Sequence, residues 1–362
     1  MRSLDTEQNA LVKLQIGIHF GQQPSLKQAI FKYISLIIDK LNQRQPMNLR
    51  PFRFIATLFA LIAALAAQSV SAVDLPLNLY GKVNISYDTK DPGKNDWQSN
   101  ASRIGIKGSY QLHPEYSVIY QIEQEVDYAH GGTSIDSLLG MRNTFVGLEG
   151  SFGKVFFGTN DTPIKASQMK IDLFNDQVGD IKNLLEGEVR ATDSWFYESP
   201  KSTSGLAVKA AYVPADDNFG SSQSFVVSYE PGDLYFSVGY DANMRKNDKS
   251  VSSTKVYDSV RAVSQYKWNG WQFGALLQSS KRQQFVSAED EFGYSLSVAK
   301  KLKDLTLKLQ HGSSDILAKD VTSTLVGADY NIAKNTKIYG YYWRFDKSEK
   351  TDVFSIGAEY KF

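Results

Sequence analysis

The chain of 362 residues has no cysteine, only four histidines and ten prolines, and its 40 basic residues are matched by 39 acidic ones. Beyond residue 72 it also lacks any apolar run near the roughly 20 residues that a membrane helix needs. Each shortage removes a class of function. Without cysteine there is no disulfide framework, no thiolate nucleophile and no thiolate-ligated metal. His19, His113, His130 and His311 are far apart, and no HExxH run joins any two into a metal site. No metal or organic cofactor is therefore expected. Gly131-Gly132 and Gly220-Ser221-Ser222 are not followed by a helical pattern, so they do not read as a phosphate-binding loop. Residues 73–362 carry 32 Lys and Arg against 36 Asp and Glu, which lacks the basic excess of a nucleic-acid binder. An outer-membrane enzyme would need a nucleophile with a base in reach. His130 is the one histidine of this stretch in a long loop, and catalysis is not expected.

What is present begins with an export signal. Arg50 and Arg53 precede the apolar run Phe54 to Ala67, and Val70-Ser71-Ala72 offers the small residues at which a signal peptidase cuts. The run is too short to span a bilayer as a helix. Residues 47–72 are expected to be a signal peptide and residues 73–362 the mature protein. Translation is expected to start at Met47, which leaves residues 1–46 as an upstream extension outside the mature chain.

The mature region is dominated by alternation with a period of two. Phe354, Ile356, Ala358, Tyr360 and Phe362 alternate with Ser355, Gly357, Glu359 and Lys361, and Leu77, Leu79, Val83 and Ile85 alternate with Asn78, Lys82 and Asn84. The pattern returns in Leu234 to Tyr240, Phe292 to Val298, Leu305 to Leu309 and Tyr339 to Phe345. Alternate strand residues point to opposite faces, so each segment has an apolar and a polar side. The segments run about 8–12 residues, longer than the 5–6 usual in soluble sheets and suited to a tilted crossing of a bilayer. Aromatic residues such as Trp268, Trp271, Trp343 and Phe345 end apolar faces, as an interfacial girdle requires. Tight turns at His113-Pro114-Glu115, Glu230 to Asp233, Asn269-Gly270 and Lys303-Asp304 alternate with long polar connections. The expected fold is all-β: a closed, antiparallel, up-and-down transmembrane barrel of sixteen strands between residues 77 and 362, in the outer membrane. Such a barrel is wide enough for a water-filled lumen. Lys82 and Arg103 fall on the polar phase of their strands. A cation facing lipid at the bilayer midplane costs about 2–4 kcal/mol, so both are expected to face the lumen, with Arg261 a secondary lumen candidate. Tyr80, Tyr235 and Tyr342 are the aromatics expected in the inward phase.

Several runs in this order resemble the Gram-negative general porin family. They are Leu79-Tyr80-Gly81-Lys82-Val83, Ser102-Arg103-Ile104-Gly105-Ile106-Lys107-Gly108, Arg142 to Leu148 before Gly153-Lys154-Val155-Phe156-Phe157-Gly158, and the terminal Glu359-Tyr360-Lys361-Phe362. The resemblance covers residues 74–362. It implies a homotrimer of sixteen-stranded barrels, embedded in membrane lipid and lipopolysaccharide, passing small hydrophilic solutes by diffusion. It also implies that the barrel-assembly machinery reads Phe362, and that a third long loop, here near 160–192, folds inward. The loop acids Asp172, Asp176, Asp180 and Glu186 would then face wall bases Lys82, Arg103, Arg142 and Arg190. The loop lacks the Pro-Glu-Phe-Gly-Gly run of enterobacterial members. A substrate-selective channel for oligosaccharides or anions is the alternative within transport, and a structural or enzymatic barrel the alternative outside it.

Overall fold

A computed structural model describes residues 76–130, 138–168, 171–216, 220–245, 256–283 and 289–362. The expected signal segment 47–72 and the upstream stretch 1–46 lie outside the described residues. Eighteen strand segments form one sheet. The first seven are β1 (Asn78–Asp91), β2 (Asp96–Ser99), β3 (Arg103–His113), β4 (Tyr116–Val126), β5 (Leu139–Met141), β6 (Thr144–Gly150) and β7 (Gly153–Asp161). After a long connection come β8 (Arg190–Glu198), β9 (Leu206–Val213), β10 (Ser222–Tyr229), β11 (Leu234–Arg245), β12 (Val256–Trp268) and β13 (Trp271–Arg282). The set ends with β14 (Glu291–Leu302), β15 (Leu305–Ser314), β16 (Val321–Ala333), β17 (Thr336–Asp346) and β18 (Lys350–Lys361).

Two of the staves are each made of two segments, and their shorter members, β2 and β5, fall in stretches expected to be polar connections. β2 and β3 lie successively along β1, β2 against Ile85 to Asp88 and β3 against Asn78 to Lys82. Likewise β5 pairs with the outer end of β4 and β6 with its inner end. The eighteen segments are therefore sixteen staves, the number expected. Every neighbouring pair is antiparallel, and β1 pairs with β18 from Lys82↔Lys361 to Asp91↔Asp352, which closes the barrel. Among the described residues no helix is long and apolar enough to cross a membrane.

The alternation translates directly into two surfaces. On β11, Leu234, Phe236, Val238 and Tyr240 are exposed on the outside while Tyr235, Ser237, Gly239 and Asp241 are buried inside. Phe273, Leu277, Phe292, Leu296, Leu307, Leu309, Val326, Phe354 and Ile356 extend the same outward apolar band. An outside that is apolar and an inside that is polar is the reverse of a soluble barrel, and it is what hydrocarbon demands.

β17 departs from the expected phase. Tyr339, Tyr341 and Trp343 are buried inside the barrel, with Phe345 half-buried beside Trp343, whereas Tyr342 is exposed on the outside and donates to Asp352. Trp343 and Phe345 are thus not girdle residues, and Tyr342 is not a lumen residue. Both faces of this strand carry aromatics, so alternation alone leaves its phase ambiguous. The inner face is apolar here because it packs against Leu173, Phe174 and Val178 of the β7–β8 connection instead of water.

Leu277 lies near the middle of β13 on the lipid side. Leu277→Arg is expected to destabilise the barrel by about 2–4 kcal/mol. Urea titration of the protein folded into vesicles, followed by the gel shift between folded and heat-unfolded forms, would measure it.

Candidate functional site: the lumen constriction

The connection between β7 and β8 does not stand out from the rim. Its base is pinned where Thr162 N–H donates to the Val189 carbonyl at 3.0 Å. Thr162 also caps the short helix α1 (Pro163–Ser167), its hydroxyl accepting from Lys165 N–H, and proline occupies the first turn, where a missing N–H costs nothing. From α1 the chain crosses the inside of the barrel. Ile164, Ile171, Phe174, Ile181, Leu184 and Leu185 are all buried, against the inner wall from β10 to β18. Arg261 of β12, fully buried, holds both limbs. Its Nε donates to Gln278 (2.8 Å), Nη1 to the Ile164 carbonyl (3.2 Å) and the Glu188 carboxylate (2.9 Å), and Nη2 to the Glu186 carbonyl (2.7 Å). Arg261 does face the lumen side, as its strand phase suggests, but beneath the loop and out of reach of the open space.

The loop's far end reaches the opposite wall. Asp176 sits at its tip with a left-handed backbone, φ 66°, which aspartate tolerates better than most residues. Its carboxylate meets Lys82 Nζ at 2.8 Å and Arg103 at 3.5 Å. Those two bases are register partners on adjacent staves, so the strand pairing itself sets them side by side. The arc continues along the wall. Arg142, at the break between β5 and β6, is buried and binds Glu123 (2.8 Å) and Glu125 (2.6 Å). Arg190 opens β8, pairs with Asp161 at 3.1 Å and donates to Asn143 at 2.7 Å. Between this arc and the loop lies a cavity of about 650 Å³. Its charged lining includes Lys90, Arg103, Arg142, Lys165, Lys182 and Arg190 on one side of the ledger and Asp88, Glu125, Asp161, Asp176, Asp180 and Glu188 on the other.

Of the eight residues singled out from sequence, the structure brings Lys82, Arg103 and Asp176 into direct contact and sets Arg142, Arg190 and Asp180 around the same cavity. Asp172 and Glu186 are not part of that group. Asp172 faces into the loop, accepting from Phe174 N–H (3.1 Å), Ile181 N–H (3.0 Å) and Gln310 (3.1 Å). Glu186 is buried at the β12–β13 wall, where its carbonyl meets Arg261 and Gln278. Asp180 has a double part, since it caps the 3-10 helix Ile181–Asn183 and accepts from Asp176 N–H at 2.9 Å. Glu123 and Glu125 were missed by sequence reasoning. Their signal was the inward phase of β4, where they follow Gln121 at every second position and Glu125 faces Arg103 in register.

Two loop carboxyls are shifted in opposite directions. Burial pushes Asp176 up, but Lys82 and Arg103 outweigh it and hold its pKa below the ordinary carboxylate range. Burial, reinforced by Asp180, raises Asp172 to about 7, against the donors Ile181, Gln310 and Phe174.

The closed wall, apolar outside and charged inside, with a loop narrowing its interior, defines an outer-membrane diffusion channel. Residues 56–361 match the Gram-negative porin family, and the chain belongs to it. It is 28% identical over 255 residues to major outer membrane protein P.IB of Neisseria meningitidis serogroup B, covering 65% of this chain and 73% of that protein. With the Neisseria sicca P.IB protein identity is 32% over 169 residues, 42% of this chain and less than half, 46%, of that one. Among solved structures, the anion-selective porin from Comamonas acidovorans superposes with a TM-score of 0.64 at 17% identity, covering 80% of this chain and 100% of that one. The trimer form of OmpT from Vibrio cholerae gives 0.61 at 18%, covering 79% and 99%. The chain is thus an outer-membrane porin, forming a water-filled channel for passive diffusion of small hydrophilic solutes and ions.

A carboxyl with a raised folded pKa stabilises its surroundings most below the ordinary carboxylate value and progressively less as pH rises through the raised value. Asp172 should therefore hold the loop more firmly at pH 5 than at pH 8, whereas Asp176, whose folded pKa is depressed, stays ionised throughout that window. Open-channel current noise is expected to fall on acidification from pH 8 to 5, and Asp172→Asn to weaken that dependence, leaving the share of Glu188, which burial also raises. A pH series of single-channel recordings on both proteins reads this directly.

Proposed function

We propose that this chain is a general-diffusion porin acting as a homotrimer, with its constriction between the loop tip at Asp176 and the wall bases Lys82, Arg103, Arg142 and Arg190. The observation that carries the reading is the position of Asp176. It crosses the lumen to the bases of β1 and β3, so anything passing must use the remaining gap beside Arg103, Arg142 and Arg190. The trimeric Vibrio cholerae OmpT supports the assembly. Contact of the rim with lipopolysaccharide, and recognition of the exposed terminal Phe362 by the barrel-assembly machinery, belong to the same proposal.

The charges in the gap are arranged for weak selectivity. Each wall base has a carboxylate within ion-pair distance, Arg142 two of them, and acids and bases lining the cavity are equal in number. Opposed charges of this kind order water and orient polar solutes without excluding either sign of ion. Among the described residues no continuous aromatic track lines the gap, since the stacked Tyr339 and Tyr341 lie under the loop, and this favours a general channel over an oligosaccharide-selective one.

Planar-bilayer recording of the purified protein under a salt gradient is the test. Large ohmic steps that close in groups of three, with a small reversal potential, are expected; a folded protein that does not conduct would overturn the reading. Arg103→Gln should raise the cation-over-anion permeability ratio about two- to fourfold, the scale of one charge ~5 Å away in water, roughly 0.8 kcal/mol before screening.

A further inference from the structure

The inner wall behind the loop carries glycine in the middle of four strands, where glycine is a poor strand former and often marks a close approach of another chain segment. Gly239 of β11, Gly274 of β13, Gly293 of β14 and Gly312 of β15 all face inward and are all buried. Each lies under an apolar side chain of the loop. A methyl group added at Gly293 would stand 2.4 Å from Leu185 Cδ2, and one at Gly312 would stand 2.5 Å from Leu184 Cδ2. At Gly239 it would stand 2.9 Å from Ile164 Cγ1 and at Gly274 3.1 Å from Ile171 Cγ2, with wall atoms nearer still at both, Val226 Cγ2 at 2.6 Å and Ser297 Oγ at 2.5 Å. Ordinary carbon contacts lie near 3.5–4.0 Å. The fit is reciprocal at the loop's outer end, where Gly179 of the loop receives Leu325 of β16, with 1.9 Å between an added Cβ and Leu325 Cδ2.

We propose that these wall glycines form a seat of dimples whose depth sets how far the loop stands out into the lumen, and so sets the aperture for solutes. The loop is two-faced in the way this requires. Ile171, Ile181, Leu184 and Leu185 enter the wall, while Asn175, Asp176, Gln177, Asp180, Lys182 and Asn183 line the cavity. Bulk added at Gly293 or Gly312, where a loop leucine is the nearest atom, pushes the loop toward the arc of bases. Hydrogen bonds tie the loop down over the seat, Leu173 N–H donating to Gln310 at 2.8 Å and Lys308 to the Leu173 carbonyl at 3.0 Å, while the dimples set its depth.

This inference rests on the constriction reading, and the two fail differently. In bilayer recordings, Gly293→Ala and then Gly293→Val should give a graded loss of single-channel conductance and of the uptake rate of larger neutral sugars in liposome swelling. Adding Leu185→Ala to Gly293→Ala should return conductance to the parent value, and Leu184→Ala should do the same for Gly312→Ala. Gly340→Ala, at a position where an added Cβ meets nothing within 4 Å, controls for loss of glycine in a strand and should leave conductance unchanged. Should the wall variants fail to fold, Ile171→Ala and Leu185→Ala alone are read, with noisier and larger open channels expected. Unchanged conductance in folded Gly293→Val, no rescue by the loop partner, or unchanged channels in the loop variants would overturn the seat. A parent protein that does not conduct would instead remove the constriction reading itself.

Discussion

Hydrocarbon offers no partner to a backbone N–H or C=O, and an unpaired one there costs several kcal/mol, so a sheet that crosses a bilayer must meet itself. In this chain the meeting is between β1 and β18. It ends in a reciprocal pair, Gly81 N–H to the Phe362 carbonyl at 2.9 Å and Phe362 N–H to the Gly81 carbonyl at 3.1 Å. Closure fixes more than stability. Side chains alternate with a period of two, so a slip of one residue between β1 and its neighbours would turn Lys82 outward and Leu79 inward. The same register that closes the wall sets Lys82 beside Arg103 and Arg103 beside Glu125. The lumen chemistry is therefore a consequence of the ladder and needs no separate device to position it.

The loop obeys a different constraint, since it must hold a fixed place in a space filled with water. Burying one Ile, Leu or Phe side chain contributes about 1.5–3 kcal/mol, whereas a part-exposed ion pair contributes about 0–1 kcal/mol. Six such side chains are buried against the wall, so they and the Arg261 clamp hold the loop's body. The ion pair of Asp176 with Lys82 then fixes where the tip points. This division explains why the lumen of a channel contains a patch of apolar wall, Leu276, Leu325, Val353 and the rings of Tyr339 and Tyr341, that would otherwise be out of place.

The fold was legible because the bilayer imposes a simple code. Long alternating segments with tight turns between them gave sixteen staves, and Lys82 and Arg103 were placed toward the lumen because lipid rejects cations, whereas Arg142 and Arg190 followed only from the family resemblance. Legibility ended where water was not the inner solvent. β17 carries rings on both faces, and only the loop above it decides which set is inside. Asp172 and Asp176 are four residues apart in the same acidic loop, yet one caps the loop's own backbone and the other reaches the far wall. Composition treats them alike, and what separates them is a left-handed turn at Asp176 that no local pattern announces. The glycines of the wall were visible as letters in strands, but their purpose appears only when the loop lies over them.

The proposed constriction filters according to how its charges are paired. A bare cationic wall facing a bare anionic loop would set a strong transverse field and a preference governed by whichever charge was left uncompensated. Here Lys82 and Arg103 share Asp176, Arg142 has Glu123 and Glu125, and Arg190 has Asp161. Paired charges leave short-range dipoles, and at physiological salt even an unpaired charge is screened over about 8 Å. Their field orients a polar solute within the gap but reaches little beyond it. Discrimination then falls chiefly to the width of the gap, and width belongs to the apolar contacts on the far side of the loop. The residues that touch the solute and the residues that decide its permitted size are therefore different sets, separated by the thickness of one loop.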